Sequence, residues 1–288
     1  MFDESAVRDN LYGHVEQLSV KIGERHLWME GSLDTAASYI EEVLAGGGYA
    51  VSRQTFTAYG RTVSNLVAET KEPGSRDGAI VIGAHYDTVP GSPGADDNAS
   101  AVAGLLELAG LCKGEAPRKR LIFAFFVNEE PPCFGSQNMG SMVYAKSLRE
   151  NGVDVEVMIC LEMIGYFNPG GLQRYPFSGM RLIYPAAADF LAVVGNFNSC
   201  GYVSLMKRRM RKHTGLKVRS LVAPAQTAGI SHSDHSAFWH YGFKAVMLTD
   251  TAYFRNRNYH QETDTMETLN FPAMTELVRG LYRTILEI

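Results

Sequence analysis

The sequence predicts a three-layer α/β fold, a central β-sheet with helices on both faces. Three observations predict it. Short apolar runs bounded by turn residues recur along the chain; segments with helical spacing of apolar residues alternate with them; and several of the runs lack polar alternation, as strands covered on both faces do. At 288 residues the chain fits a single domain over residues 1–288, unbroken by an internal repeat, a linker or a low-complexity tract.

Leu11, Val15, Leu18 and Ile22 recur at helical spacing. Leu33, Ala37, Ile40 and Leu44 repeat the pattern and stop at Gly46-Gly47-Gly48, where a left-handed cap costs little. β-rich runs follow at Tyr49 to Phe56, Val63 to Glu69, Ala79 to Ala84, Leu121 to Val127, Val155 to Leu161 and Ala245 to Thr249. Helical stretches are expected at Ser100 to Cys112, Met139 to Glu150, Ala186 to Ser199 and Phe271 to Glu287. The least regular stretch, Gly165 to Gly179, is rich in Gly, Pro and aromatic residues and reads as an excursion near a binding site.

Composition narrows the classes of function. Apolar residues make up 45% and charged residues 20%, which is ordinary globular usage. A balance of 27 basic against 31 acidic residues is too mild for a dedicated nucleic-acid or anionic-membrane surface. The basic cluster Lys207, Arg208, Arg209, Arg211 and Lys212 reads as a solvated helix face. The longest apolar run, Leu121 to Val127, is far below the ~20 residues of a membrane-spanning helix. The opening stretch MFDESAVRDNLYGH has no apolar core of the kind a signal peptide needs. Cys112, Cys133, Cys160 and Cys200 stand too far apart to suggest a disulfide scaffold or a thiolate zinc site, so a cytoplasmic location is expected.

Five places carry chemistry. After the strand AIVIGA, His85 and Asp87 fall on the same side of an extended chain, so Asp87 can accept the ring N–H of a metal-binding His85. Asp96-Asp97-Asn98 precede an apolar helix with more carboxylate than a helix cap uses, and spacing leaves open which acid is the spare one. Glu129-Glu130 follow the strand LIFAFFV; neighbouring side chains diverge, so one can bind metal while the other serves as general base. Glu162 lies in an apolar run where an unpaired carboxylate is costly and calls for a cation. His260 supplies an imidazole, with Asp264 as a possible partner. Two histidines and three carboxylates on loops after strands suit a pair of Zn²⁺ ions about 3.5–4 Å apart in a hydrolytic site.

The segments GAHYDT, GADDNASAVAG, NEEPP, LEMIG, SDHSAF and YHQETDTMETLN, spread from His85 to about Leu269, together resemble the M28 family of zinc exopeptidases, which includes bacterial aminopeptidases and, more distantly, glutaminyl cyclases. The resemblance implies a mixed, mostly parallel sheet and a metal-dependent exopeptidase, foremost an aminopeptidase acting on a peptide or small aminoacyl substrate. Residue by residue, it implies that His85, Asp97 and Glu162 hold one zinc, and that Asp97, Glu130 and His260 hold the other. Glu129 would be the general base, Asp87 the orienter of His85, and Tyr259 a donor to the tetrahedral oxyanion. Many members carry Asp where this chain has Glu162, which leaves a one-ion enzyme open beside the two-ion one. His235 is assigned a supporting or structural role, His232 and His240 structural roles, and His14, His26 and His213 none. The apolar wall for a substrate side chain is sought among Phe167, Tyr175, Phe177 and the segment near Tyr253 and Phe254. The alternatives are a single-zinc, glutaminyl-cyclase-like acyl transferase and a non-catalytic peptidase-like scaffold. Oligomeric state is left open.

Overall fold

The computed structural model describes residues 2–70 and 78–288. Along the chain run α1 (Glu4–Glu16), α2 (Ser32–Gly46), β1 (Val51–Ala58), β2 (Arg61–Glu69), β3 (Ala79–His85), α3 (Ala101–Cys112), β4 (Leu121–Phe126), α4 (Gly140–Glu150), β5 (Val155–Glu162), β6 (Asn168–Leu172), β7 (Ala187–Ala188), β8 (Phe190–Gly195), α5 (Cys200–His213), β9 (Lys217–Val222), α6 (His235–His240), β10 (Ala245–Thr249) and α7 (Phe271–Leu286). Eight strands form one sheet in the order β1-β2-β4-β3-β5-β10-β8-β9. Its centre, β4-β3-β5-β10, is parallel, and antiparallel pairing enters at β2 and β8, so the sheet is mixed and mostly parallel at its core.

Alternation along each strand sorts the core into two layers. Ile80, Ile82, Phe123, Phe125, Ile159, Leu161, Leu191 and Val193 face α2, α3, α5 and α7, while Val81, Ile122, Ala124, Met158, Ala192 and Met247 face α4 and α6. Both β3 and β4 are buried at every position, which is why their sequences show no polar alternation. Helix α1, capped by the Asp3 carboxylate on the N–H groups of Ser5 and Ala6, packs Val7, Leu11 and Val15 against Ala103 of α3 and Met274 and Val278 of α7. It runs on into a wider π-helical turn over Gln17–Ile22.

One stretch departs from the sequence expectation. Ala186 to Ser199 reads as a helix, but it forms β7 and the fully buried strand β8, and the helix α5 begins only at Cys200. A short apolar run such as FLAVVG has no periodicity that separates strand from helix; its place between β10 and β9 decides the matter. Strand β9, a partly exposed edge with Lys217, Arg219 and Ser220 along it, goes unread because no apolar run marks it. The excursion after Gly165 folds as a two-stranded ribbon of β6 and β7. The basic cluster lies on α5, whose apolar side packs Val203, Met206 and Met210 into the core, and Arg209 and Lys212 pair with Glu287.

Candidate active site

The sequence-predicted residues converge at the C-terminal ends of the central strands, where the strand order reverses about β3, with β4 on one side and β5 on the other, and α/β sheets open a crevice. His85 and Glu162 are the last residues of β3 and β5; Glu129 and Glu130 follow β4; Asp97 lies in the turn before α3; His260 comes from the loop after β10. Asn128, Met163 and His260 hold φ of 61°, 45° and 59°, a left-handed backbone that residues with side chains adopt where surrounding structure enforces it.

Asp97 divides the cluster into two trios. Its Oδ1 lies 3.4 Å from His85 Nε2, which is itself 3.4 Å from Glu162 Oε2. Its Oδ2 lies 3.2 Å from His260 Nε2, which is 3.2 Å from Glu130 Oε2. These separations are not hydrogen bonds: His85 Nε2, Asp97 Oδ1 and His260 Nε2 are buried polar atoms without a hydrogen-bond partner among the described residues. Donor atoms of His85, Asp97 and Glu130 all fall within 4.8 Å of one another. Imidazole nitrogens and carboxylate oxygens converging on a common point without bonding each other fit a divalent ion of the zinc type. Without such an ion the electrostatics are frustrated. Burial disfavours a charged His260, yet Asp97 and Glu130 outweigh it and push the ring up to about 10. Burial, reinforced by Asp97, pushes Glu130 up to about 8.

Supporting contacts hold each group in place. Asp87 Oδ1 lies 3.4 Å from His85 Nδ1, and the same carboxylate accepts the N–H groups of Glu129 and Glu130 at 3.0 and 3.1 Å. Asp87 thus ties the end of β3 to the acidic turn after β4. Asp264 does not meet His260; it accepts the N–H groups of Asp96 and Asp97, each at 3.0 Å, and so fixes the turn that carries Asp97. Asp96 points away, accepting Gly165 N–H and the Asn256 amide. Asn98 bonds both Leu161 O and Met163 N, the two backbone groups that flank Glu162. Glu129 is buried, and its carboxylate makes no hydrogen bond or ion pair among the described residues. Burial is the chief reason its proton affinity is raised. Tyr259 stacks on the His260 ring at 3.7 Å between centroids, and burial next to Asp97 and Glu130 keeps its hydroxyl protonated.

The segment Ser233-Asp234-His235 holds residues that sequence reasoning missed. Attention goes to His235, but its Nε2 bonds Ile230 O at 2.6 Å and its ring packs edge-on to Trp239, away from the cluster. Ser233 is the one that reaches it, donating to Glu162 Oε2 at 2.7 Å. Asp234 is fully buried beside them, pushed up to about 7 chiefly by burial. His232, read as structural, lies in the wall of a cavity that runs from Glu162 and Tyr259 between Tyr175, Tyr253 and Phe254, over Ala192, Val194 and Met247. Of the wall residues sought in the sequence, Phe177 is largely exposed and Phe167 is packed in the core under Arg255.

A mixed α/β sheet with a His/carboxylate centre at its C-terminal edge, a free glutamate beside it and an apolar cavity adjoining it defines a metal-dependent hydrolytic enzyme. Comparison with known proteins narrows the class. The model of Peptidase family M28 matches residues 65–285, and the chain belongs to that family. It is 40% identical over 260 residues to Uncharacterized protein YfbL of Escherichia coli (strain K12), covering 87% of this chain and 79% of that one. It is 25% identical to Leucine aminopeptidase 1 of Aspergillus clavatus over 83% of this chain, and spans 60% of that protein's length. Among solved structures, a zinc aminopeptidase from Bacillus subtilis superposes with a TM-score of 0.76 at 17% identity, covering 97% of this chain and 94% of that one. Glutaminyl cyclase of Tannerella forsythia superposes at 0.70 with 19% identity, each chain being 98% covered. At these identities the superpositions speak for the fold. No helix among the described residues is long and apolar enough to cross a membrane.

Proposed function

We propose that the protein is a two-zinc aminopeptidase that releases N-terminal residues from peptides, acting as one domain over residues 1–288. The observation that carries this reading is the pair of trios joined by Asp97, with Glu129 unengaged beside them. In the proposal His85, Asp97 and Glu162 hold one ion, and Asp97, Glu130 and His260 hold the other. When bound, the ions supply Lewis acidity at the scissile carbonyl and acidify the attacking water. Glu129 takes the proton from that water and returns it to the leaving amine, a role open to it because no other described residue engages its carboxylate. Tyr259, held protonated and set by its stack on His260, donates to the oxygen that gains charge. The free α-ammonium of a substrate is drawn to the surplus of carboxylate, and its side chain enters the aromatic cavity beside Glu162 and Tyr259.

The test combines elemental analysis of the purified protein with a panel of aminoacyl-p-nitroanilides, with and without chelator. The expected result is two zinc ions per chain and chelator-sensitive hydrolysis that favours large apolar residues. One ion per chain with cyclisation of N-terminal glutamine would overturn the reading in favour of an acyl transferase.

A further inference from the structure

Arg25 is the largest fully buried side chain among the described residues, and it belongs to none of the groups described above. Burying a guanidinium is costly unless its donors are satisfied and its charge is compensated. Each of its three nitrogens donates to backbone carbonyls, and to no side chain among the described residues. Nε donates to Tyr86 O at 2.8 Å; Nη1 donates to Leu18 O, Gly23 O and Pro93 O at 2.9, 2.6 and 2.9 Å; Nη2 donates to Gly94 O at 3.0 Å. No carboxylate lies within ion-pair distance of it among the described residues, and the negative charges that act on it most are Asp87, Asp264 and Asp97.

The identity of these carbonyls gives the contact its meaning. Tyr86 sits between His85 and Asp87, and Pro93 and Gly94 lead into the turn that presents Asp97. Leu18 and Gly23 close the helical turn after α1. Thr88 and Arg25 also exchange bonds: Arg25 N–H donates to Thr88 Oγ1 at 3.0 Å and Thr88 N–H to Arg25 O at 2.8 Å. The loop closes over the guanidinium so tightly that a Cβ at Gly94, whose φ is +58°, would stand 2.4 Å from Thr88 Cγ2 and 3.1 Å from Arg25 Nη2. Arg25 lies outside the residues that match the family model.

We propose that Arg25 is a positioning residue for the metal centre: its planar fork fixes the distance between the loop bearing His85 and Asp87 and the loop bearing Asp97. The inference rests on the metallopeptidase reading of that centre. A lysine has one ammonium with three donors and cannot span carbonyls on three segments, so charge alone does not substitute for the fork.

The experiment measures zinc affinity of the full chain by competition with a chromogenic chelator, alongside the melting temperature of the metal-free protein. Arg25→Met and Arg25→Lys are both expected to bind zinc about 10–100-fold more weakly, the range typical of groups that orient metal ligands. Ile40→Ala, a core truncation in α2, an element that carries none of the candidate ligands, is the control for lost metal-free stability and should keep wild-type affinity. At saturating Co²⁺ the visible ligand-field bands of Arg25→Met should differ from wild type while those of Ile40→Ala do not. Undiminished affinity in the Arg25 variants, or an equal loss in Ile40→Ala, overturns the inference. Should neither Arg25 variant fold, the residue holds the fold as a whole and the inference is overturned. A wild-type chain that takes up no zinc overturns the metallopeptidase reading and this inference with it.

Discussion

Glu129 and Glu130 are chemically identical neighbours set apart by what each faces. Glu130 points at His260, whereas the Glu129 carboxylate has no partner among the described residues, and the Asp87 carboxylate holds both backbone N–H groups so that the two side chains cannot exchange places. Glu129→Gln should therefore keep its zinc and lose activity by about 10²–10⁴-fold, the usual worth of a general acid–base group; elemental analysis with steady-state kinetics reads both, and an active variant would refute the assignment. Ser233 makes a second prediction at this scale. Its hydroxyl is the hydrogen-bond donor to Glu162, so on the two-ion proposal Ser233→Ala should weaken zinc binding at the Glu162 trio by about tenfold and leave the Glu130–His260 trio unchanged. Stepwise zinc titration distinguishes this from a uniform loss.

At the scale of elements, the site is assembled by strand ends and by polar side chains that staple loops to them. His85 and Glu162 were legible as chemistry because each ends an apolar strand, where a charged or polar group stands out. The stapling by Asn98, Asp264 and Ser233 was not, because a polar residue in a loop carries no sign of which distant backbone it will meet. Strand β8 shows the same limit for structure: its apolar run is compatible with helix or strand until β10 and β9 lie on either side of it. Leu191, fully buried in β8, faces the helical layer that holds α5 and α7. Leu191→Ala should cost about 2–5 kcal/mol, as core truncations do. Chemical denaturation of the metal-free variant checks this, and a loss under about 1 kcal/mol would contradict the burial of β8.

For the whole molecule, the decisive quantity is the number of ionisable groups enclosed at one edge of the sheet. Asp234 and Asp250 are pushed up to about 7 and Asp264 up to about 8, chiefly by burial, and His260 up to about 10 by its carboxylate neighbours against the effect of burial. Each holds a proton in the folded chain at a pH where the unfolded chain has released it. Together they contribute stability to the metal-free fold that is lost as pH rises from the ordinary carboxylate range through about 8, while Asp97, held below that range by His260 and His85 against the effect of burial, contributes stability that is lost only as pH falls below it. His235, lowered to about 4 by burial, acts in the opposite sense, but only below about 6.5. Metal binding needs ionised carboxylates and neutral imidazoles, so zinc stabilises more at higher pH. The melting temperature of chelator-treated protein should fall between about pH 6.5 and 8 while that of the zinc-loaded protein holds or rises; parallel curves would show that the buried charges and the ion are not linked.

The sequence by itself determined the fold class, the strands that end in His85 and Glu162, and the residue types of a hydrolytic metal centre, because apolar runs and isolated charges are local facts that survive without coordinates. Tertiary structure alone decided that Asp96 turns away to Gly165 and Asn256, that Asp264 braces a turn instead of a histidine, and that Arg25 is enclosed by the loops around it. Those outcomes depend on which backbone groups meet across tens of residues, and a hydrogen bond between distant segments leaves no periodicity in the chain that makes it.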